Sequence, residues 1–267
     1  MVLHPVLDEA PNSAGGCVPA WQVIERTQKQ LANEYWLVTQ PDHAALAGAL
    51  ASRMTAPGFP TVDPLVARAI EVHDSGWAIF DSEDRSGPAP IVNRRGKPVS
   101  FLEIEPADFL HAWTASIDRA ESVCPAGGYT VSRHFCALGE GRLGARIDTP
   151  EDSALIQAFL HYEGKRRCHL QPLTGRSTGE LENILLVLQF CDLLSLYLCC
   201  GASDAVEFPQ PFAPGRIRAR REKQVFILEP SPFRKTKDDA ELSLAVEARR
   251  CPSRVAPNTT TLAFLLC

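Results

Sequence analysis

The chain has 267 residues, 45% of them hydrophobic and 22% charged, with 27 Lys plus Arg against 32 Asp plus Glu for a net charge of −5. That composition excludes a disordered chain, a collagen-like repeat and a disulfide-stapled miniprotein, and the length holds one large domain or about two smaller ones. The nine cysteines include no Cys-x-x-Cys pair, which argues against a secreted disulfide framework or a zinc ribbon and favours a reducing, cytoplasmic setting.

Residues 1–20 read as a flexible tail, with neither the basic start nor the long apolar stretch of a secretory signal. Trp21 to Arg26 and Glu34 to Val38 read as short strands flanking a polar turn. Pro41 and Asp42 then start a helix that reaches about Met54, and Asp63-Pro64 starts another whose apolar stripe ends at Ser75-Gly76. Residues 81–100, rich in Pro and Gly, are expected to form a long loop. Further helices are predicted from Pro106 to about Ser122, around Val131 to Leu138, from Thr149 to about Cys168, and over 180–200. The last is apolar enough to resemble a membrane span, but Glu182, Asn183, Gln189 and Asp192 interrupt it, and a buried core helix explains the same pattern.

Beyond Gly201 the periodicity changes to two. Strands are expected at Val225 to Leu228, Leu242 to Ala248 and Thr260 to Leu266, with Arg216, Arg218 and Arg220 alternating on one solvated face. From Gly215 onward there are 11 basic and 6 acidic residues, a net of +5, against 16 and 26 before it, a net of −10. The expected organisation is therefore a tail (1–20), a helical domain (21–203) and a small β subdomain (204–267).

The chemistry-bearing residues are polar groups that fall on apolar helix faces. His43 leads the stripe of Ala47, Leu50 and Met54. His73 follows Val66 and Ile70, with Asp74 beside it, and Asp192 lies inside the late apolar helix with Gln189 and Ser195 three residues either side. A buried carboxylate must take a proton, pair with a cation or bind a metal. One ion shared by His43, His73, Asp74 and Asp192 would satisfy all four, whereas core hydrogen bonding is the plainer reading of any one alone. Imidazole with carboxylate suits Mn, Fe, Co, Ni or Zn better than Mg or Ca.

The order His43, His73-Asp74, Asp192 resembles the H…HD…D motif of the HD superfamily of metal-dependent phosphohydrolases. The strings TQPDHAALAGALA, EVHDSGW, LQFCDLLSLYLC and, at Leu228 to Phe233, LEPSPF are also similar to an uncharacterised bacterial family with HD-like features, over about residues 34–235. The resemblance implies a mainly α, HD-like helical bundle, α+β overall once the C-terminal part is counted, holding one or two divalent transition metals. It implies His43, His73, Asp74 and Asp192 as ligands, with Asp74 as the catalytic carboxylate bridging two metals. His111 and His134 occupy the interval in which binuclear members place two further ligands. His161 and His169 share that interval but lie on an exposed, basic helix end, and His4 lies in the tail.

The expected activity is hydrolysis of a small phosphoester or nucleotide-like substrate by a metal-activated water. Arg133, Arg94, Lys97 and Arg167 are candidate phosphate contacts, against the plainer reading of solvated charge. Two alternatives remain open: a di-iron oxygenase, because its HD relatives share the six-ligand order, and a non-catalytic ligand sensor. P-loop, dinucleotide-fold and nucleophile-elbow motifs are absent, and Cys136 near His134 reads as a buried structural thiol rather than a nucleophile. The partner is expected to be a small molecule, not nucleic acid or a membrane.

Overall fold

Side-chain caps set where the helices begin. The structure, a computed structural model, describes residues 1–7, 16–81, 92–234, 241–252 and 258–267. Helix α2 (Gln40–Arg53) opens on Thr39, whose hydroxyl oxygen accepts from the Asp42 amide at 3.0 Å. Helix α3 (Pro64–Glu71) opens on Asp63, which accepts from the amides of Leu65 and Val66. Proline in the first turn also starts α5 (Pro106–Val123), α6 (Pro125–Ala145) and α7 (Pro150–Leu173), where its missing N–H has no partner to lose. Helix α8 (Thr178–Cys199) begins with a capping box between Ser177 and Glu180. The described residues also include two shorter α-helices, α1 (Ala20–Lys29) and α4 (Ala78–Asp81).

The strands form one eight-stranded mixed sheet curled into a half-barrel, in the order β1 (Val2–Val6), β3 (Glu34–Val38), β7 (Leu242–Cys251), β8 (Thr259–Leu266), β6 (Val225–Glu229), β5 (Arg218–Glu222), β4 (Val206–Glu207), β2 (Val18–Pro19). Strands β2 with β4 and β6 with β8 run parallel; the other pairs are antiparallel. Both ends of the sheet are therefore built from N-terminal chain: β2 pairs with β4, and β1 joins the later strands through β3, which pairs with β7.

This corrects the expected fold class. The protein is α+β, with helices packed on a full sheet, rather than an HD-like helical bundle with a small β subdomain. The error has a local cause. The segment Val-Leu-His-Pro-Val is short and carries a proline, which an edge strand tolerates, so it read as tail. Trp21 to Arg26, expected as a strand, lies in α1, where Ala20, Val23, Ile24 and Thr27 follow helical spacing and are buried. Helix α6 runs well beyond the short helix expected at Val131 to Leu138, because Pro125 and the following glycines open it rather than break it. Residues 82–91 of the expected long loop lie outside the described residues.

One apolar core crosses the expected boundary at 203. Val2 and Val38 from the N-terminal strands, Leu50 from α2, Val131 from α6, Leu188 from α8, and Phe226 and Phe264 from the sheet belong to the same cluster. Helix α8 is its axis, apolar on nearly every side and buried as such a helix must be. It is long and apolar enough to cross a membrane, yet 72% of its most apolar window is buried by the surrounding fold, as in a core helix.

Candidate metal centre

Three segments deliver the cluster. The Thr39 cap fixes the first turn of α2, so His43 faces inward beside the buried Ala47 and Leu50. Helix α3 stops at Glu71. His73 and Asp74 stand in the turn that follows, held by the His73 amide to Ile70 O at 3.1 Å and the Trp77 amide to Asp74 O at 3.1 Å. That turn is pressed onto α5 at Gly76, whose amide donates to Ser116 Oγ at 3.0 Å. A Cβ at Gly76 would stand 2.1 Å from the Ala112 carbonyl oxygen, so the approach requires glycine. Asp192 comes from the middle of α8.

Ligand atoms of His43, His73, Asp74 and Asp192 all lie within 4.8 Å of one another. His43 Nε2 is 2.8 Å from Asp74 Oδ2, and His73 Nε2 is 3.4 Å from Asp192 Oδ1 and 3.8 Å from Asp74 Oδ2. The other nitrogen of each ring is committed elsewhere. His73 Nδ1 donates to Ile70 O at 2.8 Å. His43 Nδ1 sits 2.9 Å from Ser195 Oγ, whose own proton goes to Asp192 O at 2.8 Å, so the hydroxyl accepts and the imidazole donates.

Both histidines therefore turn unprotonated Nε2 lone pairs toward carboxylate oxygens. Acceptors so placed repel one another unless a cation stands among them. Buried His73 Nε2 and Asp74 Oδ1 have no hydrogen-bond partner, whereas buried polar atoms in folded proteins are nearly always satisfied. Two imidazole nitrogens and two carboxylates, each ring oriented through its far nitrogen, make a donor set that fits a transition metal.

Without a cation, a proton must serve. Burial opposes charge on His73, but the carboxylates of Asp74 and Asp192 outweigh it and raise the imidazole to about 9. Burial opposes charge on Asp192 as well, and the His73 contact with the surrounding imidazoles brings it down to about 2. His134 behaves differently. It lies 3.6 Å from Asp192 Oδ2 through Nε2, and burial lowers it to about 4 against the pull of Asp192. Its buried Nδ1 has no partner, so it stands at the rim of the four-residue cluster as a neutral ring.

The other expected site residues lie apart from this cluster. His111 is exposed on α5, so the pair of further ligands predicted from binuclear relatives is not assembled. Lys97 is buried and donates to Gln28 O at 2.7 Å and Glu103 Oε2 at 3.1 Å. Arg94 shares a separate pocket with Lys97. Arg167 contacts Ser132 Oγ at 3.1 Å and Cys136 Sγ at 2.8 Å, and Arg133 pairs with Glu140 at 3.5 Å. Among the described residues none of the four has a hydrogen bond or ion pair with the cluster. Cys136 is buried and its thiol is pushed up by that burial. Arg216 and Arg218 pair with Glu207, and Arg220 with Glu222 and Glu229.

Two contributors were not assigned a role from sequence. Ser195 appeared only as a polar neighbour of Asp192, although that i+3 spacing is what brings it to His43. Gly48 lets α2 touch α3, and nothing in the sequence sets it apart from other helical glycines.

No curated protein and no solved structure matches the chain. A family model described as "Protein of unknown function (DUF3891)" does, over residues 26–252. That span takes in α2, the His73-Asp74 turn and α8, so the whole candidate centre lies inside it. The chain belongs to this family.

Proposed function

We propose that the cluster binds one divalent transition metal, Mn, Fe, Co, Ni or Zn, and hydrolyses a small phosphoester. One observation carries the metal reading: two Nδ1-anchored imidazoles aim their Nε2 lone pairs at two carboxylates, and buried acceptors there are left unsatisfied. The HD resemblance of His43, His73-Asp74 and Asp192 supports the reaction class. A bound metal would supply an acidified water and stabilise charge on a phosphoryl oxygen.

The chain's own part is to present that arrangement ready-made. Ser195 and the Ile70 carbonyl hold the two rings in one tautomer. Asp74 and Asp192 supply the negative charge, and the side chain of Asp192, 13% exposed, is the opening toward solvent. Neutral His134 is placed to orient a substrate group or a water by hydrogen bonding. The di-iron alternative has less support, because His111 is exposed on α5 and outside the cluster, and so does a purely organisational polar cluster, because this one does not satisfy itself.

Metal analysis of protein purified without chelator should find close to one equivalent, and turnover of a phosphoester panel should depend on it. If the protein binds no metal, or if His73→Ala and Asp192→Ala leave its metal affinity unchanged, the reading is wrong. Stoichiometric iron with oxygen consumption and no phosphate release would transfer the site to oxygenase chemistry.

A further inference from the structure

The four cations expected to contact a phosphate do not surround the metal cluster, but two of them meet in a pocket elsewhere. It lies between the end of α1 and the turn at Asn93 to Lys97, has a volume of about 450 Å³, and is lined by Lys29, Asn93, Arg94, Arg95, Lys97 and Glu103 among others. That volume is within the range of small-molecule sites. Four cations face one carboxylate there, in a chain whose net charge is −5.

The pocket wall is preorganised. Asn93 Oδ1 accepts from the amides of Arg95 and Lys97 at 2.9 and 3.2 Å, the Asn93 amide donates to Lys97 O at 2.8 Å, and the Gly96 amide donates to Asn93 O at 2.9 Å. These bonds fix a tight turn with Arg94 and Arg95 at its exposed tip. Among the described residues neither guanidinium has an ion pair. Lys97 is the floor: its buried ammonium uses two of three protons on Gln28 O and Glu103 Oε2, and the third is uncommitted. Lys29 is held at the rim by Glu25 at 2.6 Å.

We propose that this pocket binds a small polyvalent oxyanion, a phosphate or a pair of linked phosphates. Guanidinium forks match phosphate oxygens two at a time, and an ammonium supplies a point charge beneath them. Either a free inorganic ion or the phosphate end of an organic molecule satisfies this chemistry. The inference does not rest on the metal reading, since the two sites share no residue.

Titration calorimetry of inorganic pyrophosphate, orthophosphate and ADP into the full, metal-free chain tests it. Pyrophosphate is expected to bind more tightly than orthophosphate. The double variant Arg94→Ala/Arg95→Ala should weaken it about tenfold or more, while Arg216→Ala/Arg218→Ala, which removes the same charge from the sheet, should not. ADP binding more tightly than pyrophosphate would assign the site to organic phosphates, and equal binding would show that only the phosphates are read. Lys97→Ala is avoided, because Lys97 also ties down Gln28. No pyrophosphate binding at millimolar concentration, or equal losses in the two double variants, overturns the proposal.

Discussion

Replacing Gly48 with alanine sets two effects of known size against each other. In an exposed helix the change would stabilise by about 1 kcal/mol, because alanine loses less backbone entropy. Here the added methyl would stand 2.5 Å from Glu71 Cβ, 2.6 Å from its Cα and 2.8 Å from its nitrogen. Ordinary contact needs about 1 Å more, and two of the three atoms are backbone, so no rotamer relieves the clash. Helices α2 and α3 must separate, at an overpacking cost of about 1–3 kcal/mol or somewhat more. Packing should win, leaving a net loss of up to about 2 kcal/mol.

The same separation reaches the candidate centre, since α2 carries His43 and the chain leaving α3 carries Asp74. Their 2.8 Å contact would lengthen by a large part of an ångström, while ligand distances tolerate only about 0.2 Å. Urea denaturation and zinc titration against a competing chelator should therefore show Gly48→Ala less stable and at least about tenfold weaker in metal affinity. Ala45→Gly, exposed on the same helix, should lose about 1 kcal/mol of stability with its metal affinity unchanged. A Gly48→Ala protein more stable than wild type, with wild-type zinc affinity, would refute the claim that this contact sets the geometry of the site.

Ser195→Ala should fold normally by circular dichroism yet bind zinc about 10–100-fold more weakly, because His43 loses the acceptor that fixes its tautomer; equal affinity would remove Ser195 from the site. In metal-free protein, the stability that His73 gains from being raised to about 9 is complete below its ordinary 6.5 and lost as pH rises through 9, of the order of 3 kcal/mol. The share from Asp192, lowered to about 2, is present above its ordinary 3.8 and lost as pH falls toward 2. Burial lowers His134 to about 4, so the unfolded chain takes up that proton first and stability also falls as pH drops from 6.5 toward 4; denaturation midpoints with chelator should thus be highest near about pH 6.5, and saturating zinc should remove the alkaline decline. Asp63→Ala removes the cap of α3 and the ion pair with Arg176 beside the start of α8; a loss of about 1–2 kcal/mol is expected in urea denaturation, and no change would mean that the α3 start is held by packing alone.

Much of the helical framework could be read from local signals. Thr39, Asp63, Thr149 and the prolines after them mark starts that any α-helix would use, and strand Glu34–Val38 carries its own alternation. Four residues of the candidate site were legible because burying a charge on an apolar face demands a partner whatever the fold. What was not legible depended on distant chain. Val2–Val6 and Val18–Pro19 are too short to announce themselves as strands, and their pairing is decided by β3 and β4. The placement of His111 and Lys97 was not legible either: their order and residue type suited the chemistry, but His111 lies exposed on α5 and Lys97 donates to the Gln28 carbonyl.

The order of strands in the sheet bears on when this chain can fold. Tyr35 pairs with Cys251, and Glu34 meets Arg250 across 216 residues of sequence; Val18 pairs with Val206. During synthesis β3 can pair early with β1, but its other edge must wait for β7 and β2 must wait for β4, so helices α2, α3 and α5–α8 can collapse before the rest of the sheet closes. Such non-local pairing slows folding and exposes strand edges to other nascent chains. A ribosome-bound chain halted before β7 should therefore hold its helices yet remain open to proteolysis at Glu34–Val38.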